Sequence, residues 1–224
     1  MADQVDARAL TVAVLGGTGD QGQGLAYRLG AAGVRVIIGS RDPQRAEACA
    51  AAIDAKVSGE VDGAGNGEAS ARADVVIVAV PWTAHEPTLR DLAEQLAGKI
   101  VVDCVNPLGF DSHGPYRIDV PAGSAAQQAA ALLPRSRVVG AFHNVSASML
   151  MDTNVDNLDQ DVLVLGDDRP ATDLVRALAE LMPGVRGVFG GRLRNAGQVE
   201  ALTANLIAIN RRYKARSGIK IVGI

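Results

Sequence analysis

Apolar residues along this chain fall in short runs without strict alternation, separated by stretches of helical periodicity. Thr11 to Leu15 is the first run and Val34 to Gly39 the second. Between them Leu25, Leu29 and Ala32 share one face of a helix that Gly33 ends. The pattern predicts a second helix from Pro43 to about Ile53 and a weak strand around Ala55 to Gly59. Asp62 to Gly67, dense in glycine, reads as a surface loop. Strand character returns at Asp74 to Val80 and stops at Pro81; a helix follows from about His85 to Leu96, then a buried strand over Lys99 to Asp103. Gly109 to Gly123 reads as a loop, Ser124 to Leu133 as a helix and Arg137 to Phe142 as the next strand. Continuous apolar strands alternating with helices predict a mainly parallel sheet covered on both faces.

Beyond His143 the pattern thins. A strand is expected over Asp161 to Gly166, a helix over Arg169 to Leu181, and a short strand over Gly184 to Phe189. The last helix, about Ala196 to Arg216, carries Val199, Leu202, Leu206, Ile209 and Tyr213 at spacings of three and four, which predicts a packing face. Gly218 is the expected C-cap. There is no internal repeat. The expected division is a nucleotide-binding unit over 1–142 and a small C-terminal α/β unit over 143–224 that closes the cofactor cleft. Met1 to Ala9 reads as a loose leader.

Composition narrows the class. The 224 residues are 48% hydrophobic but only 3% aromatic, so the core must be built from Ala, Val, Leu and Ile. A formal charge of −3 argues against a general nucleic-acid binder. Cys49 and Cys104 form no metal-spacing motif and read as reduced thiols of a cytoplasmic protein, and His85, His113 and His143 lack ligand spacing, so no metal is expected. No apolar run is long enough to span a bilayer.

The first strand empties into Gly17-Thr-Gly19-Asp-Gln-Gly22, a G-x-G-x-x-G turn opening a helix. Such a turn needs glycine for its tightness, for close approach of a pyrophosphate, and for close packing of helix on strand. Free N–H groups and the helix dipole then meet the phosphate charge. The second strand ends differently from a site for the unphosphorylated cofactor, which places Asp or Glu there. Here it reads Gly39-Ser40-Arg41, with Arg45 one helical turn on. A hydroxyl and two permanently charged guanidinium forks suit a 2′-phosphate, so the expected ligand is NADP(H).

In an open parallel sheet, ligands occupy the crevice outside the carboxyl ends of the strands. The remaining candidates are therefore Val80-Pro81-Trp82, Asn106 within Cys104 to Pro107, and Phe142-His143-Asn-Val-Ser146. His143 could donate to a carbonyl or a bound anion. No Ser–His–Asp order and no H-E-x-x-H appears, nor a conspicuous Lys or Tyr acid/base at a strand end. Hydride transfer between two planar cofactor rings needs no such group, only two rings held face to face.

These residues carry a resemblance. Val14 to Ala26, Gly39-Ser-Arg41, Val80-Pro-Trp82, His143 in its loop and Ser217-Gly-Ile-Lys220 resemble the NADP-dependent reductases of the deazaflavin coenzyme F-420 (F420), nearly end to end. The resemblance implies a Rossmann-type doubly wound fold and an oxidoreductase passing hydride reversibly between NADP(H) and F420. It implies that Thr18 to Gln21 contact the nucleotide phosphates and that Ser40, Arg41 and Arg45 clamp the 2′-phosphate, Arg45 standing where the family has Lys. It further implies that Pro81, Trp82 and Ala147 line the nicotinamide side and that His143 sits at the junction with the deazaflavin. This chain differs from the family pattern across Val102 to Leu108 and Asn144 to Met149. Arg211, Arg212, Lys214 and Arg216 either receive the acidic F420 tail or are a solvated helix end matched to its dipole.

Two other functions fit the first unit: an NADPH-dependent reductase of a small imine, ketone or flavin, and a non-catalytic NADP(H)-binding sensor. Partners are expected to be small-molecule cofactors, with no nucleic acid and no membrane. The apolar tail Ile219 to Ile224 must be buried somewhere, and a homodimer is expected.

Overall fold

The computed structural model describes residues 6–224. Element order follows the apolar runs. The first half comprises β1 (Thr11–Leu15), α1 (Asp20–Ala31), β2 (Arg35–Ser40), α2 (Pro43–Asp54), β3 (Val61–Gly65), α3 (Asn66–Arg72), β4 (Val75–Val78), α4 (Trp82–Asp91), α5 (Ala93–Leu96) and β5 (Ile100–Asp103). The second comprises a hairpin of β6 (Leu108–Asp111) and β7 (Gly114–Arg117), then α6 (Ala125–Leu132), β8 (Arg137–Gly140), α7 (Ala147–Leu150), β9 (Gln160–Gly166), α8 (Arg169–Glu180), β10 (Val185–Gly191) and α9 (Ala196–Tyr213).

Eight strands form one sheet in the order β10-β9-β8-β5-β4-β1-β2-β3. The chain winds outward through β2 and β3, returns to β4 on the other side of β1, and winds the opposite way. A crevice therefore opens beyond the carboxyl ends of β1 and β4, where the winding reverses. β1, β4 and β5 are buried almost throughout because helices cover both faces. One core layer packs β1, β2 and β4 against α1 and α2 through Leu25, Leu29, Ala46 and Ile53. The opposite layer packs them against α4 and α6 through Leu89, Ala125 and Ala129. β8 and β9 pair antiparallel, Val139 with Gly166 and Gly140 with Leu165, so the sheet runs on across residue 142.

Several expectations are corrected. The strand sought at 55–59 lies at Val61–Gly65, inside the segment read as a loop. Residues 55–60 instead turn the chain, with Val61 N–H donating to Asp54 Oδ1 and Gly59 N–H to the Gly30 carbonyl. Glycine belongs in this strand because α2 lies directly on it: a Cβ at Gly63 would stand 2.3 Å from the Glu47 nitrogen. The helix expected from His85 begins at Trp82 and breaks before Ala93. The loop at 109–123 holds the β6–β7 hairpin, whose turn Asp111 Oδ1 closes by accepting from His113 and Gly114 N–H.

The α9 stripe is a packing face only in part. Val199 and Leu206 are buried, whereas Leu202, Ile209 and Tyr213 are exposed, Tyr213 by 73%. α9 ends at Lys214 in the left-handed conformation rather than at Gly218. Val222 and Ile224 of the tail are exposed instead of buried. Of the expected leader, residues 1–5 lie outside the described residues. Asp6 caps a short 3-10 turn, Ala7–Ala9, that buries Ala7.

Candidate functional site

β1 delivers the glycine turn to the crevice. Gly17 N–H donates to the carbonyls of Val14 and Gly39, which ties the turn to both first strands. Gly19 is the N-cap of α1 and, like any glycine, brings no side chain to cap the first-turn amides. Those amides are the anion-seeking end of a 12-residue dipole. A Cβ at Gly22 would sit 2.6 Å from Gly17 Cα, so only glycine lets the helix start this close to the turn. The cradle is thus shaped for a pyrophosphate, as the fingerprint requires.

At the end of β2, Ser40 is buried and its hydroxyl accepts from Asp42 N–H at 3.1 Å. Asp42 is the N-cap of α2, its carboxylate accepting from Arg45 N–H at 3.2 Å. Arg41 and Arg45 are exposed, and among the described residues neither takes part in an ion pair. Two free cations beside a hydroxyl fit a 2′-phosphate. One cleft of about 700 Å³ unites Thr18, Gly19, Asp20 and Gln21 with Ser40, Arg41 and Arg45 at one end and Val80 and Pro81 at the other. Asn66, the first residue of α3, also lines it with a buried Oδ1 that has no partner among the described residues. Sequence reasoning missed Asn66 because it read that segment as a surface loop.

Trp82, Asn106, His143 and Ala147 do not line this cleft. Trp82 opens α4 beside Pro81, with its ring tilted 32° over His85 at 5.4 Å between centroids. Asn106 and His143 meet through the main chain: Asn106 Nδ2 and Thr203 Oγ1 both donate to the His143 carbonyl, at 2.9 and 3.0 Å. Gln21 Nε2 donates to the carbonyl of Phe142, whose φ of 63° lies in the left-handed region, so the phosphate turn and the His143 loop touch. Ala147 begins α7, which lies on α1 where Gly24 faces Leu150.

His143 is buried, and among the described residues neither ring nitrogen has a hydrogen-bond partner. Burial pushes its pKa down to about 4 against the opposing Asp103 charge and nearby main chain, so the imidazole is neutral at physiological pH. Asn106 Oδ1 is likewise buried and unpartnered. These orphaned groups fit the polar edge of a second planar cofactor better than an apolar wall would.

A buried polar cluster also escaped the sequence reading. His85 Nε2 lies 2.6 Å from Asp103 Oδ2, both side chains fully buried. Gln128 Nε2 lies 3.2 Å from His85 Nδ1. Glu200 accepts from the N–H groups of Ala125 and Ala126 at 2.9 and 3.1 Å. Burial raises its pKa to about 7, against the pull of those two amides. The one available signal was a charged residue closing an otherwise apolar strand, Ile100-Val-Val-Asp103. Cys104 is buried with its thiol pKa pushed upward by burial, so it is not a nucleophile. Among the described residues no three His, Cys, Asp or Glu side chains are grouped to hold a metal.

The chain is similar to known proteins along nearly its whole length. The family model described as NADP oxidoreductase, coenzyme F420-dependent, matches residues 11–107. A protein of Methanothermobacter marburgensis named F420-dependent NADP reductase is 42% identical, covering 96% of this chain and 99% of its own. The protein of the same name from Methanothermobacter thermautotrophicus is 40% identical over 96% of both chains. A solved structure from Arthrobacter sp. FB24, titled as a candidate F420-dependent NADP-reductase, superposes with a TM-score of 0.80 at 29% identity, over 96% of this chain and 100% of that one.

Proposed function

This chain belongs to the family of F420-dependent NADP reductases, and from that premise we propose how its cleft is used. The chain is an NADP-dependent oxidoreductase that transfers a hydride between NADP(H) and F420. The cofactors supply the chemistry, a hydride passing between nicotinamide C4 and deazaflavin C5; the protein supplies position and a dry cleft.

Gly17, Thr18, Gly19, Asp20, Gln21 and Gly22 form the cradle for the phosphates, through main-chain amides. Ser40, Arg41 and Arg45 clamp the 2′-phosphate and set the preference for NADPH over NADH. Val80, Pro81 and Trp82 form the nicotinamide-side wall. Ala147 lies on the same nicotinamide side, and Asn106 and His143 flank the junction with the deazaflavin, where a neutral His143 can donate a hydrogen bond without adding charge. No side chain is assigned as acid or base. One observation carries this reading: a single cleft joins the glycine turn, two unpaired arginines and the carboxyl end of β4.

The exposed half of α9 supports a homodimer through Leu202, Ile209 and Tyr213. Sedimentation at micromolar concentration tests this, and a monomer would refute it. Among the described residues no helix is long and apolar enough to cross a membrane.

The test of function is the deazaflavin absorbance of purified F420 on addition of NADPH and catalytic amounts of protein. Bleaching that is much faster with NADPH than with NADH is the expected result. Tight NADPH binding without bleaching would overturn the assignment of the second cofactor and leave the first.

A further inference from the structure

We propose that the buried His85–Asp103 pair is a positioning device that holds the nicotinamide-side wall in register with the sheet. The inference rests on the reading that Val80, Pro81 and Trp82 form that wall. Asp103 is the last residue of β5, at the edge where ligands bind, and its register partner on β4 is Val78, two residues before Val80. Cys104 N–H donates to the Val78 carbonyl, so the chain leaving β5 is fastened to the chain entering the wall. Asp103 Oδ1 accepts from Val105 N–H at 3.0 Å, which fixes the carboxylate and aims Oδ2 at His85.

α4 needs such an anchor. Its N-cap is Pro81, and no side chain caps its first turn. Pro87 lies inside the helix and has no N–H to return to Thr83, so the helix ladder is interrupted close to its start. His85 stands between these two weak points. Its Nε2 reaches Asp103 on β5, its Nδ1 reaches Gln128 on α6, and its ring lies under Trp82. α6 is itself held by Glu200, which binds the first two amides of that helix.

Packing alone does not explain the pair. Burying a His–Asp pair carries a desolvation cost, and replacing such pairs with apolar residues of similar volume is often neutral or stabilising. A directional bond fixes an orientation that apolar contacts leave free. Ring-to-ring hydride transfer depends steeply on placement, so the wall's orientation affects rate more than affinity.

The test uses the full chain carrying His85→Leu or His85→Gln, the latter keeping a donor within reach of Asp103. Three quantities are measured: the single-turnover rate from NADPH to F420, the Kd for NADPH, and the emission of Trp82, the sole tryptophan. We expect His85→Leu to slow the hydride step ~10-fold or more, with Kd changed by less than about threefold, and to shift the emission. His85→Gln should recover most of the rate. An unchanged single-turnover rate in folded His85→Leu overturns the proposal, whatever its melting temperature. Should His85→Leu fail to fold, Asp103→Asn replaces it, and an unchanged rate there has the same force. If the wild-type chain reduces no F420, the functional reading fails instead. Trp82 emission unaltered by every variant would then overturn the positioning role separately.

Discussion

Arg28 Nε donates to the carbonyl of Leu150 at 2.8 Å, joining the helix of the glycine turn to the segment that follows His143. The same guanidinium donates to the carbonyls of Met149 and Val155 at 2.8 Å and of Asp152 at 2.9 Å. Arg28 is buried, and its charge is balanced by main-chain dipoles rather than by a carboxylate. It gathers carbonyls at and just beyond the end of α7, two of which, those of Met149 and Asp152, also accept a main-chain N–H.

Replacing Arg28 with Met should destabilise the fold by ~2–4 kcal/mol, since one buried and three part-buried carbonyls lose a charged donor. Arg28→Lys should recover only part, because an ammonium cannot present the same planar fork. Urea unfolding of the three proteins checks both. A loss under about 1 kcal/mol for Arg28→Met would refute the role.

Arg41→Ala should weaken NADPH binding by ~2–3 kcal/mol, the scale of a charge-assisted hydrogen bond, and leave NADH binding nearly unchanged. Calorimetric titration with each cofactor separates the two. Equal losses would remove the 2′-phosphate clamp from the reading.

Gly22→Ala should raise the Kd for NADPH by ~10-fold or more, because main chain rather than a flexible side chain blocks the added methyl. Stability should fall by ~1–3 kcal/mol as α1 shifts away from the turn. Wild-type affinity in this variant would show that the cradle does not need the close approach.

Glu200 predicts a pH effect of definite sign. Its pKa rises from 4.5 to about 7 on folding, so the native state holds an extra proton between those values. Its contribution is complete below pH 4.5 and is lost as pH rises through 7. Wild-type stability relative to Glu200→Gln should therefore decline from pH 5 to pH 8, by at most ~3 kcal/mol. Urea midpoints at the two pH values measure the change; a rising difference contradicts the assignment.

Local chemistry made the fold of residues 11–45 legible: an apolar strand, a glycine turn and a cationic strand end each carry their own physical reason. The β3 register was not legible, since Gly63 suits a strand only once α2 is known to lie on it. The β6–β7 hairpin was hidden by Gly109 and Pro115, residues poorly suited to strands, in a pair closed by Asp111. The half-exposed α9 shows the limit of periodicity, which marks an apolar face without naming what covers it. His85 and Asp103, 18 residues apart, meet only because α4 folds back over β5. Arg28 and Leu150, 122 apart, meet only through the packing of α7 on α1.

The seam between β8 and β9 is two residue pairs long, where β1 and β2 share five. Cohesion across it therefore depends on side chains, among them Glu200 of α9, which accepts from the N–H groups of Ala125 and Ala126 on α6. A pair of strands joined this briefly cannot by itself set the spacing of what lies on its two sides; one continuous apolar core, from Leu25 and Val139 to Val164 and Val175, does so instead.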